Sequence, residues 1–481
     1  MFMIIKRLQS NWLFYIALYI FFVYFFSSIH PIVPFDCDDW LNSIIERPPY
    51  PSLDYWNPTK VFPERFEPFV SLLAGYLVVP LSGDYISGMI IGHALVVALF
   101  IILYLFSVQQ YIELRFSLSL TTIHTLIIIF ILFHFLILRT TTECNEHLWY
   151  SNDSNCYYHY IIPNMLCACL VLWLIRHDVR SVRSGRTIAA LIVLTYLALC
   201  SNLYSVVILI AYIGAVLLLD LKTTNLTSYI HRNAPYLIVI ILWGIIQLIE
   251  SNGKRANTYG FLHQSLIQSL AATIYNFLTI RYNLWFLLIT FLALISDKWH
   301  EYKRHRSLLD IDHHAKIILI SLCLSTTYLI LLSSRVNPGY IQRGDVIFEF
   351  AFFFLLLVII AIAYLFKHIK HLRWAAPLLI IFMLFQINTQ GRTFKDVCEK
   401  YPPNLQGSIL LNNEFVQQIL DADANGQDSV VINIPKYRDS DNWPISNVGN
   451  QSEYYGIALY KHNITKRLIK TIFIPSYEIE E

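Results

Sequence analysis

The chain has 481 residues, of which 56% are hydrophobic, 15% aromatic and only 14% charged. Soluble domains carry about 25% charged residues, so this deficit excludes a water-soluble fold, and its even spread along the chain excludes one single buried core. A formal net charge of +2 without a basic stripe or stacking motif excludes a nucleic-acid partner.

Taken in chain order, the sequence predicts an all-α polytopic membrane protein with about 11 transmembrane helices. Apolar runs lie near 12–29, 85–106, 117–138, 160–175, 187–200, 204–219, 235–250, 284–296, 316–333, 346–366 and 375–388. The first is long enough to span and no small-residue cleavage site follows it, so it reads as a span rather than a cleaved signal peptide. "CSNLYS" (200–205) separates two passes, because Asn and Ser compete with the helical backbone for hydrogen bonds. The tail after Thr389 turns polar. Within it "SVVINIP" (429–435) and "TIFIP" (471–475) read as strands and "NNEFVQQILDA" (412–422) as a helix. The expected division is a transmembrane domain over 1–388, with a first outer loop over 30–84, and a small extracytoplasmic α/β domain over 389–481.

Orientation follows from Lys and Arg in short loops. "RHDVRSVRSGR" (176–186), "DKWHEYKRHR" (297–306) and "KHIKHLR" (367–373) fall on one side, the cytoplasm, together with the N-terminal Lys6 and Arg7. Loops 30–84, 139–159, 251–283 and 334–345 and the tail then face outward. "FVSLLAGYLVVPL" (69–81) must lie in the outer interface, because a crossing there would invert the charge pattern. Of the eight cysteines, Cys37, Cys144, Cys156 and Cys398 fall outside the spans. Cys144 and Cys156 bracket one loop and can bridge if that side is oxidising. Whether Cys37 meets Cys398 is left open. No metal-ligand spacing appears outside the membrane, and "DIDHH" (310–314) reads as a solvated connection. No cofactor is indicated, although acidic loop residues can hold Mg²⁺ with a phosphate.

The outer loops collect carboxylates, arginines and aromatics. "FDCDDW" (35–40) places Asp36, Asp38 and Asp39 where the first span emerges, next to Trp40 as an interface anchor. "WNPTKVFPERFEP" (56–68) supplies Trp56, Glu64, Arg65 and Glu67 on a proline-stiffened loop, and "SSRVNPGYIQRGD" (333–345) supplies Arg335, Tyr340 and Arg343. A carboxylate can deprotonate a hydroxyl, an arginine binds phosphate bidentately, and aromatic faces stack on sugar rings. Asp39 and Asp38 are the candidate bases, Asp39 slightly favoured for its place beside Trp40. On an extended stretch only one of the two can face the substrate, leaving the other to pair with Arg47 or Arg65. The candidate substrate-binding residues are Arg65, Glu64, Glu67, Trp40, Trp56, Arg335, Tyr340 and Arg343. In the tail, Trp443, Tyr454, Tyr455, Tyr460 and Lys461 are candidates for acceptor choice.

This layout, with "DDW" opening a long outer loop, resembles the GT-C class of lipid-dependent glycosyltransferases, and within it the serotype-converting O-antigen glucosyltransferases of bacterial inner membranes. The resemblance implies a sugar donor on undecaprenyl phosphate, a lipid-linked glycan acceptor and an outward-facing site in the inner membrane. It also implies a catalytic acid at Asp38 or Asp39 and a periplasmic C-terminal domain. It does not identify the sugar; a hexosyl group, glucosyl first, is expected. The absence of a nucleotide fingerprint fits a lipid-linked donor. An O-antigen polymerase or ligase is an alternative, disfavoured by the short loop 334–345. A transporter or flippase of lipid-linked sugars is another, and predicts ionisable groups deep in the spans. His93, His124 and His134 are such groups, and each is expected to bond internally.

Overall fold

The computed structural model describes residues 2–34, 37–52, 57–138, 147–151, 153–221, 225–251, 263–279, 287–293, 295–296, 313–336, 338–387, 405–435 and 452–477. The chain is a helical membrane protein. Among the described residues six helices are long and apolar enough to cross a bilayer: Ser10–Ile29, Tyr85–Arg115, Ser154–Arg176, Leu226–Glu250, His313–Val336 and Phe348–His368. Leu120–Leu136, Gly185–Leu199, Val207–Leu221, Leu266–Tyr275 and Leu372–Leu384 are apolar but shorter. Every expected run except 284–296 falls on one of these helices; of that run the described part, 287–293 and 295–296, is helical. The helix around Leu266–Tyr275 was not expected. Its apolar residues Leu266, Ile267, Leu270 and Ile274 recur at helical spacing and are exposed.

In chain order the helices are α1 (Phe2–Tyr24), α2 (Cys37–Asn42), α3 (Pro63–Leu73), α4 (Val79–Ser82), α5 (Tyr85–Arg115) and α6 (Leu120–Leu136). After them come α7 (Ser154–Cys156), α8 (Ile162–Arg176), α9 (Gly185–Leu199), α10 (Val206–Leu221), α11 (Leu226–Glu250) and α12 (His263–Thr279). Then follow α13 (His313–Val336), α14 (Phe348–His368) and α15 (Leu372–Leu384). Starts are capped as their sequences dictate. The Asp84 carboxylate accepts from Ser87 N–H at 2.7 Å, and the Asn225 side chain accepts from Ser228 N–H at 2.9 Å. The break between α9 and α10 is held by Asn202, whose side chain accepts from Tyr204 N–H at 2.7 Å.

Lipid tails are as apolar as a protein interior, so packing and internal hydrogen bonds, more than water exclusion, hold such a bundle. The three histidines expected within spans, His93, His124 and His134, each have an internal partner. His93 meets the Tyr158 hydroxyl at 2.5 Å, His124 meets Asn11 at 3.0 Å, and His134 meets Tyr104 at 3.2 Å and stacks on Trp149.

The tail forms α16 (Leu405–Ala424), β1 (Ser429–Pro435), α17 (Glu453–Lys461) and β2 (Lys470–Tyr477). The strands pair in parallel from Ser429↔Lys470 onward. This α/β unit shares its hydrophobic core with the first loop. Phe415, Ile419, Ile432, Tyr455 and Phe473 close on Val33, Trp40, Ile44, Ala74 and Tyr85. A boundary near residue 388 therefore separates two chain segments but not two cores.

Candidate functional site

Residues 58–82 build one side of the site. Pro58 and Pro63 each open a helical turn, and α3 continues through a π-helical stretch, Ala74–Val78, into α4. Val70, Ser71, Ala74 and Gly75 on one face are buried, whereas Phe69, Leu72, Leu73, Tyr76, Leu77 and Leu81 are exposed. The segment expected as a helix over 69–81 is thus helical, with one buried and one exposed face.

Glu64 and Glu67, three residues apart, share the buried face, and Arg65 points outward. Arg47 donates to the Glu64 carboxylate and to the Asn57 carbonyl, and Lys60 pairs with Glu64 at 3.0 Å. Burial pushes Glu64 up, but the Lys60 and Arg47 charges outweigh it and hold the carboxyl below its usual range. Glu67 has no such partners. It is 1% exposed and neither oxygen has a hydrogen bond among the described residues. Burial, then the charges of Asp39 and Glu64, push it well above the usual carboxylate range. Thr59 ties the loop to α11 through the Glu250 carboxylate, at 2.9 Å from its N–H and 2.7 Å from its hydroxyl.

The acid-bearing turn is helical, not extended. Asp38 and Asp39 open α2, about 100° apart round the helix, so Asp38 is exposed and Asp39 is 1% exposed. Asp39 Oδ1 accepts from Asn155 N–H at 2.8 Å. Arg47, expected to pair with an Asp, pairs with Glu64. Trp40 is not an interface anchor. It is 1% exposed and stacks on Tyr455 at 4.0 Å, so no sugar reaches its face. Tyr455 is buried with it, and Lys461 pairs with Glu46 at 2.6 Å.

The late segment is closed on itself. Arg343 donates to both Asp345 oxygens, at 3.1 and 2.6 Å, and lies over the rings of Tyr160 and Tyr340 at 4.9 and 5.5 Å. Cys156 carries a free, buried thiol against Asp153 and Arg343. Arg335, at the end of α13, is half-buried. Trp56, Trp443, Cys144 and Cys398 lie outside the described residues. Among the described residues no group of three or more His, Cys, Asp or Glu side chains is placed to hold a metal.

The sequence reading located no cavity, and the structure has a large one. An apolar groove of ≈ 740 Å³ runs between α5, α8 and α9, lined by Phe62, Phe66, Phe100, Leu166, Trp173 and Leu194 among others. Arg65 lies at the α3 end and Arg176 at the other. Arg65 is exposed and makes no ion pair or hydrogen bond among the described residues. Tyr196 on α9 donates to the Pro49 carbonyl at 2.7 Å, tying the rim of the groove to the first loop. The wall residues are scattered over 49–200, so only tertiary structure assembles them. No family model, curated protein or solved structure matches the chain.

Proposed function

We propose that this chain is a membrane glycosyltransferase. It moves a hexosyl group, glucosyl first among candidates, from undecaprenyl phosphate to a lipid-linked O-antigen or related surface-glycan unit. The work is done at the outer face of a bacterial inner membrane. The observation that carries this reading is the groove: an apolar trough along three helices, with an exposed arginine at its mouth that makes no direct ion pair among the described residues and only lends its charge to Glu46. That is the shape and charge a polyprenyl phosphate requires, the chain lying among Phe, Leu and Trp side chains and the phosphate receiving the Arg65 fork. The reading keeps eleven spans and places α2, α3 and the α/β unit outside, opposite the basic ends of α8 and α14.

In this reading Asp38 is the base. Asp39 was favoured for an anchor role of Trp40 that Trp40 does not have; its carboxylate is occupied by Asn155 and holds the turn instead. The acceptor hydroxyl attacks the sugar's anomeric carbon and its proton passes to the Asp38 carboxylate. The bond from that carbon to the lipid phosphate oxygen breaks, and the phosphate leaves with the electron pair. One carboxylate and one displacement invert the anomeric centre.

One observation favours the transport alternative. Glu349, in the first turn of α14, is fully buried and neither oxygen has a hydrogen bond among the described residues. Deletion followed by mass and linkage analysis of the surface polysaccharide separates the readings. Loss of one hexose per repeat is the expected result. Collapse of chain length assigns a polymerase, and an unchanged glycan overturns the transferase.

A further inference from the structure

The acid-bearing turn α2 is held mainly by a part of the chain 374 to 419 residues away. On its N-terminal side, the Pro34 carbonyl accepts from Asn412 Nδ2 at 2.8 Å and from the Ser408 hydroxyl at 3.4 Å. In its middle, the Trp40 ring lies on Tyr455 at 4.0 Å and beside Tyr85 at 5.9 Å. On its C-terminal side, the Ser43 carbonyl accepts from His462 Nε2 at 3.4 Å, and the Ile44 carbonyl from Lys461 Nζ at 3.2 Å. Lys461 also pairs with Glu46 at 2.6 Å. From the bundle side, Asn155 N–H supplies the bond to Asp39.

These contacts are built into both partners. The Tyr85 hydroxyl lies 2.8 Å from His462 Nδ1. Donation from Tyr85 leaves the imidazole hydrogen on Nε2, the nitrogen that faces the Ser43 carbonyl. Gly75 makes room for the same histidine: a Cβ there would lie 2.7 Å from His462 Cβ. Asn412 is 4% and His462 1% exposed, so neither is a solvent-facing accident.

We propose that the C-terminal α/β unit is a clamp that sets the position of Asp38, with Asn412 and His462 as positioning residues. The proposal rests on the transferase reading for its catalytic consequence and on the contacts alone for the clamp. A turn of six residues cannot hold itself in place. Its two flanks and its one large side chain are all fixed by the same unit. Release of any of these ties frees the turn to move, and displacement of about 1 Å at a reacting group costs about 100-fold in rate.

The test uses the full-length protein in lipid nanodiscs, with hydrogen exchange over residues 37–46 and hexosyl transfer from a polyprenyl phosphate measured on the same samples. The variants are Asn412→Ala, His462→Leu, His462→Gln and the half-exposed Lys461→Met, which leaves the core of the unit intact. Exchange over 37–46 is expected to rise about tenfold or more in Asn412→Ala and His462→Leu, and several-fold in Lys461→Met, with the β1 strand still protected. In the same two core variants kcat is expected to fall tenfold or more at unchanged KM for the lipid. His462→Gln, which keeps a donor toward the Ser43 carbonyl, restores both. Unchanged exchange over 37–46 in Lys461→Met and in whichever core variants keep β1 protected overturns the clamp. Raised exchange with unchanged kcat overturns the positioning role. If the wild-type protein transfers no sugar, the transferase reading falls, and the exchange result alone decides the clamp.

Discussion

Two segments present arginine beside carboxylate at the same end of the bundle, and they use it in opposite ways. In 338–349 the guanidinium of Arg343 is consumed: both of its contacts to Asp345 are made and two tyrosine rings cover it. A phosphate arriving there would have to displace a bidentate pair. In 37–82 the work is divided. Arg47 and Lys60 neutralise Glu64, while Arg65 stays open over the groove. The late segment has the chemistry of a brace, and the early one has an exposed cation with no direct ion pair among the described residues next to a space. Counting charges in a loop cannot tell these apart, because the difference lies in which pairs are already made.

If the early segment is the working one, its strongest effect is catalytic. Asp38→Asn is expected to lower transfer by about 10²–10⁴-fold, the usual worth of a general base. Asp39→Asn keeps an oxygen for Asn155 N–H and is expected to stay within about tenfold of wild type. Rates of the two purified variants check this, and the reverse ranking would return the base to Asp39.

The next effect is structural and separates the buried from the exposed partner of Glu64. Arg47→Ala leaves a buried carboxylate short of its main partner and is expected to cost about 3–5 kcal/mol. Lys60→Ala, with a 37% exposed side chain, is expected to cost less than about 1 kcal/mol. Thermal melts in detergent give both numbers. Equal losses would mean that Glu64 is not effectively buried.

A smaller effect follows pH. Burial, with Lys461 adding to it, lowers the His462 imidazole from 6.5 to about 4. In that window the unfolded chain takes up a proton that the folded chain refuses. Stability is therefore present above pH 6.5 and is lost as pH falls toward 4, by at most about 3 kcal/mol for this residue. His462→Gln is expected to flatten that part of the melt-versus-pH curve, and an unchanged curve would place the loss at other groups, such as His30.

Much of the fold was legible because hydrophobic runs and caps are local. The expected runs, the "CSNLYS" break, both strands and the two-faced helix after Pro63 were all local signals. The sequence reading failed where long-range contact decides. Trp40 looked like an interface anchor because it follows a span, but a tyrosine 415 positions later buries it. The two aspartates read as part of an extended stretch, but they open a helix. The helix over 263–279 lies in a stretch expected as an outer loop, although Leu266, Ile267, Leu270 and Ile274 recur at helical spacing. The groove had no sequence signal at all, since its walls are ordinary lipid-span residues.

The central claim is that the groove with Arg65 at its mouth holds a lipid phosphate. Native mass spectrometry of the full-length protein, released from nanodiscs loaded with polyprenyl phosphate, tests it directly. The wild type and Arg343→Gln are expected to retain the lipid. Arg65→Gln is expected to lose it by about tenfold or more in apparent affinity, which is about 1.4 kcal/mol or more. Equal retention by Arg65→Gln and wild type would contradict the account.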